Sequence, residues 1–266
     1  MGNPLAVVHD AEGLDDDTML AFARETRLSE TTFVQPATRE GADYRNRIFT
    51  VRQEIPFAGH PSLGTAVAVA LARGDSEVTY VQETGAGLQP VDVRLAGAAA
   101  FASMLQEPAT FGPEIDARHA LAAVGLVPGD GHRELPAQLV STGLPTLIVP
   151  VAAARCVRDA QPDFDLLDAL AERHGADNFY LVCMQEEGSA RARMFTSFVE
   201  GGEDPATGSA AGPLCAYLAE RGRGTRVEIT QGVEMGRPSR LLAEIEGDRA
   251  RVSGDVVRVI EGDVLL

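Results

Sequence analysis

The sequence contains no lysine, so all 23 basic residues are arginines. Without lysine the chain cannot form the Schiff base of an ordinary pyridoxal phosphate enzyme or supply the lysine of a P-loop. Cysteine is scarce too, because Cys156, Cys183 and Cys215 are the only three, and they lie far apart without CxxC spacing. This pattern argues against a disulfide framework or a zinc cluster, and it is typical of the reducing cytoplasm, where we expect the protein.

Long apolar runs and positive charge are also lacking. No stretch approaches the roughly 18 apolar residues of a membrane span, and the first residues lack the basic segment of a signal peptide. The formal net charge is −16, which makes nucleic acid and anionic membranes poor partners. We therefore expect neither a membrane nor a nucleic-acid partner.

The chain is 266 residues long, 45% hydrophobic, and internally repeated. RIFT at 47–50 recurs as RMFT at 193–196, an offset of 193 − 47 = 146. HPSLGTAVAVALARG at 60–74 matches GSAAGPLCAYLAERG at 208–222, an offset of 208 − 60 = 148. The repeat predicts two similar halves, 1–107 and 108–266.

Hydrophobic periodicity predicts the same order of elements in each half. An amphipathic helix is followed by a strand and the RxFT strand. A loop of small residues then leads into an apolar helix, and further strands follow. The predicted helices are 15–27, 61–72, 163–174 and 209–220; the predicted strands include 30–35, 77–82, 91–94, 100–106, 178–184, 226–230, 240–246, 249–254 and 256–260.

The helix at 61–72 is apolar nearly all round, which is typical of a helix wrapped by protein. The sequence therefore predicts an α+β fold of two pseudo-symmetric halves. Each half would be a curved, mostly antiparallel, barrel-like sheet around a central helix, with a cleft between the halves. Two ordinary α+β halves without this wrapping are the alternative.

The loops before the two apolar helices are the candidate binding sites. Small residues let a ligand approach the backbone, and a helix start offers N–H donors to an anion such as a carboxylate. The first loop carries His60 and the second carries Asp204. From the residues alone, His60 could be a bystander near the helix start, Asp204 a turn residue, and Ser209 a simple helix cap.

Glu30 is a candidate for proton transfer. It begins a strand in LSETTFV, and its repeat partner at 30 + 148 = 178 is Asn178, which cannot exchange a proton in this way. A carboxyl on one side only of a duplicated site suits one-sided proton transfer. The alternative is a solvated glutamate at the start of a strand.

These motifs resemble the PhzF-like (phenazine biosynthesis) family, which has the diaminopimelate-epimerase-like fold. The similarity covers the chain from end to end, and its motifs are GNPLAVV, LSETTFV, RIFTVRQEIPFAGHPSLGTA, EDPATGSAAG and QGVEMGRPS. The resemblance implies a cofactor-free, metal-free isomerase that moves a proton within a small carboxylate-bearing molecule. It also implies a homodimer, and a strand before GNP that this sequence does not contain.

The resemblance also implies roles for individual residues. Glu30 corresponds to the proton-shuttling glutamate, and His60 and Asp204 complete the expected catalytic group. The residues expected to bind substrate are Ser29, Gly59, Gly208 and Ser209.

Two other interpretations stay open. One is an epimerase or tautomerase on the same fold. It would have to work without thiols, because Ala58 and Ala206 stand near the positions where related epimerases carry cysteines. The other is a non-catalytic binding or interaction protein that has kept the pocket.

Overall fold

The computed structural model describes residues 2–97, 99–186, 188–197, 199 and 201–265. The chain forms two compact units. The N-terminal unit comprises Pro4–Leu105 and the segment from Ser253 onward, and the C-terminal unit comprises Gln106–Val252 and the first residues up to Asn3. The units thus interchange terminal segments, which the predicted division at 107 does not include.

The N-terminal unit contains one sheet and two helices among its described residues. Its strands follow the spatial order β1-β2-β3-β5-β6-β7, with β4 on β3. The β1–β2 and β3–β5 pairs are parallel, and β2–β3, β5–β6 and β6–β7 are antiparallel. The elements are β1 Leu5–Val8, α1 Asp16–Thr26, β2 Glu30–Gln35, β3 Tyr44–Phe49, β4 Glu54–Ile55, α2 Gly59–Arg73, β5 Glu77–Thr84, β6 Gly87–Ala96 and β7 Ala99–Leu105.

The C-terminal unit contains a longer sheet and four helices in its described part. Its strand order is β8-β9-β10-β11-β12-β14-β15-β16, with β13 on β12, and β16 belongs to this unit as far as Val252. The elements are β8 Thr110–Ile115, α3 Ala117–Ala122, β9 Ala137–Ser141, β10 Pro145–Pro150, α4 Ala154–Asp159, α5 Phe164–His174, β11 Asn178–Met184, β12 Ser189–Phe195, β13 Glu203–Asp204, α6 Gly208–Glu220, β14 Arg226–Gln231, β15 Ser239–Glu246 and β16 Arg249–Val256.

The predicted repeat is visible in the strand pairing. The parallel β1–β2 pair corresponds to β10–β11, the antiparallel β2–β3 pair to β11–β12, and the parallel β3–β5 pair to β12–β14. The register agrees as well: Arg47 lies opposite Phe33, and Arg193 lies opposite Leu181, which is 33 + 148. The α+β class and the repeated halves predicted from the sequence are confirmed.

Each unit is built around one apolar helix. In the N-terminal unit α2 packs against all six strands of the sheet path, so this sheet must curve around it. In the C-terminal unit α6 packs against β9, β10, β14 and β15. Ala66, Val67 and Ala70 of α2, like Leu214 and Tyr217 of α6, are almost completely buried. The wrapped helix predicted from its uniform apolar character is confirmed.

One predicted strand is wrong. The predicted strand at 249–254 is part of β16, which ends at Val256. The second strand, predicted at 256–260, is therefore not formed. Val257, Val259 and Ile260 have strand-like composition, but they are 68%, 84% and 87% exposed, so no neighbouring strand supports them.

In the described part of the chain, no helix is long and apolar enough to cross a membrane.

Candidate active site

Glu30 and His60 form a close pair in the N-terminal unit. Nε2 of His60 lies 3.0 Å from Oε2 of Glu30, and their side chains are 21% and 11% exposed. Glu30 therefore is not a solvated strand end, and His60 is not a bystander of the helix start. This distance lies within the range of a hydrogen bond.

The local sequence explains why these side chains meet. Glu30 is the first residue of β2, and its alternate neighbour Thr32 points to the same side of the sheet. The hydroxyls of Thr32 and Thr65 are 2.7 Å apart and buried, which links β2 to α2 close to His60. At Gly64, an added Cβ would lie 2.5 Å from Cδ2 of Leu5, so this glycine lets α2 lie close against β1.

Ser29 and Gly59 adjoin the pair in sequence. Ser29 is half-buried in the bend just before β2, and Gly59 is the first residue of α2. The N-cap of α2 is Ala58, whose side chain cannot accept a hydrogen bond from the helix start. The substrate-binding roles expected for Ser29 and Gly59 stay predictions.

Asp204 lies in a separate polar cluster in the C-terminal unit. It is 8% exposed, and its Oδ1 accepts a 2.7 Å hydrogen bond from Nδ2 of Asn3. Its Oδ2 accepts a very short hydrogen bond from the hydroxyl of Thr207. Asn3 also donates to the carbonyl of Ala206 at 3.2 Å. Both carboxylate oxygens of Asp204 therefore act as acceptors, and a plain turn residue would not need these partners.

Gly208 and Ser209 form the first turn of α6. The N-cap is Thr207, not Ser209, and its side chain donates to Asp204 instead of capping the helix. The carbonyl of Gly208 accepts a 2.9 Å hydrogen bond from Nε2 of Gln106. An added Cβ at Gly212 would overlap Oε1 of Gln106, so the repeated glycine here makes room for a polar side chain.

An arginine–glutamate pair precedes each of the two loops. Arg47 makes a two-point contact with Glu54 at 2.9 and 2.6 Å, and Arg193 makes one with Glu203 at 2.8 Å through both nitrogens. Such bidentate pairs fix geometry more strongly than single contacts. Because Glu203 adjoins Asp204 in β13, the second pair fixes the start of the Asp204 loop.

Three residues around Asp204 have no role predicted from the sequence. They are Asn3, Thr207 and Gln231. Two of them stand in motifs quoted above: Thr207 in EDPATGSAAG and Gln231 at the start of QGVEMGRPS. Asn3 lies 201 residues from Asp204, and no local pattern indicates that contact.

The thiols are unsuited to acid–base chemistry. All three cysteines are free and buried. Burial raises the pKa of Cys156 and Cys183, and it raises the pKa of Cys215 to about 12. A thiol with such a pKa remains protonated at neutral pH and is a poor base. Within the described ranges, no group of three or more histidine, cysteine or acidic side chains could hold a metal ion.

Known proteins of one family are similar to this chain. The family model described as phenazine biosynthesis-like protein matches residues 1–262. The chain is 37% identical over 282 residues to the trans-2,3-dihydro-3-hydroxyanthranilate isomerase of Pseudomonas fluorescens, covering 100% of this chain and 94% of that protein.

Two solved structures are also similar. One is a predicted epimerase of Pseudomonas aeruginosa, 36% identical, with a TM-score of 0.83 over 98% of this chain and 94% of that one. The other is a PhzF-family phenazine biosynthesis protein of Bacillus anthracis, 28% identical, with a TM-score of 0.85 over 100% and 94%.

Proposed function

Because the chain belongs to the phenazine biosynthesis-like (PhzC–PhzF) family and is an isomerase, we propose that Glu30 performs its proton transfer. The supporting observation is the Glu30–His60 pair, in which a buried carboxylate oxygen lies 3.0 Å from an imidazole nitrogen. A sheltered carboxyl next to one polar partner suits a group that takes and returns a proton.

The proposed reaction moves one proton between two carbons of a small carboxylate-bearing molecule. The Glu30 carboxylate takes a proton from one carbon, and the electron pair of that C–H bond shifts the adjacent double bond. The resulting carboxylic acid gives the same proton to the carbon at the other end of the shifted bond. The product is an isomer of the substrate, Glu30 ends as a carboxylate, and no electrons enter or leave.

His60 has a supporting role in this proposal. Its Nε2 contact holds the Glu30 carboxylate in one orientation, and its half-buried ring adds a polar group beside that carboxylate. For Asp204 we propose the role of a charged acceptor that binds a polar substituent, since both of its oxygens already accept hydrogen bonds. A proton donor would instead need a protonated carboxyl at this place.

The proposed substrate class follows from the relatives. The Pseudomonas fluorescens isomerase is named for trans-2,3-dihydro-3-hydroxyanthranilate, a cyclic amino carboxylate. We propose a small molecule of this class, with its carboxylate bound by backbone N–H groups at helix starts such as those of Gly59 or Ser209. A homodimer in the cytoplasm is part of the same proposal, supported by the family resemblance.

Glu30→Gln tests the proposal. The amide keeps the shape of the side chain but cannot take up a proton, so turnover of trans-2,3-dihydro-3-hydroxyanthranilate should fall by about 10²–10⁴-fold. Turnover is measured by chromatographic separation and quantification of the substrate and its isomeric product. Glu25→Gln, which removes the same charge from an exposed position of α1, is the matched control and should behave as wild type. A fully active Glu30→Gln protein would refute the role of Glu30.

The same experiment separates the rival interpretation of an epimerase, which the similarity to a predicted epimerase supports. An epimerase would change the configuration at one carbon without moving a double bond. Chiral chromatography and ultraviolet absorbance of the product distinguish these two outcomes. Epimerisation by a pair of thiols is disfavoured, because the cysteines are buried and the pKa of each is raised.

A further inference from the structure

Gln231 is completely buried at the end of β14 and contacts the Asp204 loop with its side-chain amide. Its Nε2 donates to the backbone carbonyl of Asp204 at 2.8 Å and to the hydroxyl oxygen of Thr207 at 2.9 Å. Its Oε1 accepts a 3.0 Å hydrogen bond from the hydroxyl of Tyr180. All three contacts lie within the C-terminal unit.

The backbone carbonyl oxygen of Asp204 determines which group donates in each of these hydrogen bonds. A backbone carbonyl can only accept, so the NH₂ group of Gln231 must face Asp204 and the amide cannot be flipped. Thr207 then accepts from Gln231, and its own hydroxyl proton is directed to Oδ2 of Asp204. Tyr180 must donate to Oε1, and burial together with the charge of Asp204 raises the pKa of Tyr180, which keeps that proton in place.

The backbone beside Gln231 is adapted to this contact. Gly232 has φ +76°, and a Cβ added there would lie 2.6 Å from the carbonyl oxygens of both Arg237 and Pro205. Since both obstacles are backbone atoms, only glycine lets this turn pack against the residue after Asp204. The amide of Gln231 is thereby held at a fixed distance from the loop.

We propose that Gln231 is a positioning residue that sets the direction of the Thr207 hydroxyl and so presents Asp204 to the substrate as an acceptor with a fixed orientation. The chain of donors runs from Tyr180 through Gln231 and Thr207 to Asp204, and each bond polarises the next. The inference rests on the proposed function in one respect, namely that Asp204 binds substrate.

Side-chain hydrogen exchange tests the hydrogen-bond directions without any substrate. The NH₂ signals of Gln231 are assigned by NMR from their disappearance in Gln231→Leu. In the wild type we expect both protons to exchange with heavy water much more slowly than those of an exposed glutamine. Thr207→Val keeps the shape but removes the acceptor, so exchange of one proton should accelerate about tenfold or more. Thr207→Ser should keep the protection, and an unprotected amide in the wild type would overturn the inference.

Kinetics test the positioning role. Thr207→Val and Gln231→Glu should lower kcat/KM by about 10–100-fold. Thr207→Ser, which keeps the hydroxyl, should retain most of the wild-type kcat/KM. A purely structural effect would change thermal stability without this rescue by serine. If Thr207→Val turns over substrate as the wild type does while its amide exchange has changed, the positioning role is wrong. If the wild type turns over no substrate of the proposed class, the proposed function fails, and the exchange result still decides the hydrogen-bond directions.

Discussion

At the scale of single residues, the arrangement around Glu30 differs from that around Asp204. Glu30 has one imidazole neighbour, whereas Asp204 has a hydrogen-bond donor on each carboxylate oxygen. The repeat partner of Glu30 is Asn178, and that of His60 is Gly208 at 60 + 148. In the proposed function, the duplicated chain therefore uses one half for proton transfer and a hydrogen-bonded carboxylate in the other half for binding.

His60→Asn probes the partner of the proposed base. Asparagine keeps a polar group but cannot reproduce the Nε2 contact, so the buried carboxylate loses its fixed orientation. We expect kcat to fall by about 10–100-fold, less than in Glu30→Gln, because the base itself remains. Steady-state kinetics with the substrate of the Pseudomonas isomerase measure this change.

The matched control for that variant is His9→Asn, which alters an exposed histidine of the same unit and should leave kcat unchanged. Equal activity of the His60→Asn and wild-type proteins would remove the histidine from the proposed mechanism while leaving Glu30 in it.

The sequence indicates Glu30, His60 and Asp204 because each lies in a motif or loop with a recognisable local pattern. It does not indicate that Asn3 reaches Asp204, since that contact depends on how a segment 201 residues away folds. Gln231 is intermediate: its motif is visible, but a buried amide in a strand can serve packing or positioning, and only the contact partners distinguish these roles.

At the scale of elements, α1 and α5 are repeat partners with different C-terminal residues. The residue after α5 is Gly175 with φ +68°, whereas the corresponding residue after α1 is Arg27 with φ +51°. The left-handed conformation is strained for a residue with a Cβ and is well suited to glycine. The sequence repeat identifies the two positions as equivalent, because 27 + 148 = 175.

Arg27→Gly should stabilise the protein. Relief of the left-handed strain outweighs the added freedom of glycine in the unfolded chain, so the free energy of unfolding should rise by about 0.5–1 kcal/mol. Urea denaturation followed by circular dichroism measures it. Glu25→Gly, inside the same helix, should instead lower this free energy by up to about 1 kcal/mol. A destabilised Arg27→Gly protein would show that the arginine side chain stabilises the fold more than its backbone strains it.

Elements that the repeat predicts lie close to their observed bounds, because amphipathic and apolar periodicity survives in both halves. In the region from 108 to 160 only β10 has a counterpart, β1, in the N-terminal unit, and the sequence does not predict β8, β9, β10, α3 and α4. The apolar residues after Val256 show the opposite failure, since composition favours a strand where no neighbouring strand is available.

At the scale of the whole molecule, the absence of lysine simplifies alkaline titration. Apart from the chain's amino terminus, the groups that titrate between about pH 8 and 12 are the cysteines and tyrosines. Burial is the main cause that raises the pKa of each of them, to about 12 for Tyr80, Cys215 and Tyr217. Burial likewise raises the pKa of Tyr44, Cys156, Tyr180 and Cys183.

Stability should therefore fall steadily with rising pH. Between about pH 9 and 11 the unfolded chain loses protons that the folded protein retains, so the free energy of unfolding decreases, by about 1.4 kcal/mol per pH unit for each such proton. Urea denaturation at a series of pH values measures the slope. Tyr217→Phe removes one titrating group and should give a shallower slope, and a flat profile in the wild type would contradict the prediction.

The interchange of terminal segments has a consequence for synthesis. Asn3 contacts Asp204, which lies 201 residues later in the sequence, and Arg237 donates to the carbonyl of Gly2 at 2.8 Å. Conversely, the unit that contains Glu30 takes in the segment after Ser253. During synthesis the C-terminal unit therefore cannot make these contacts before Asp204 and Arg237 are translated, and the N-terminal unit cannot include its last segment before Ser253 is translated.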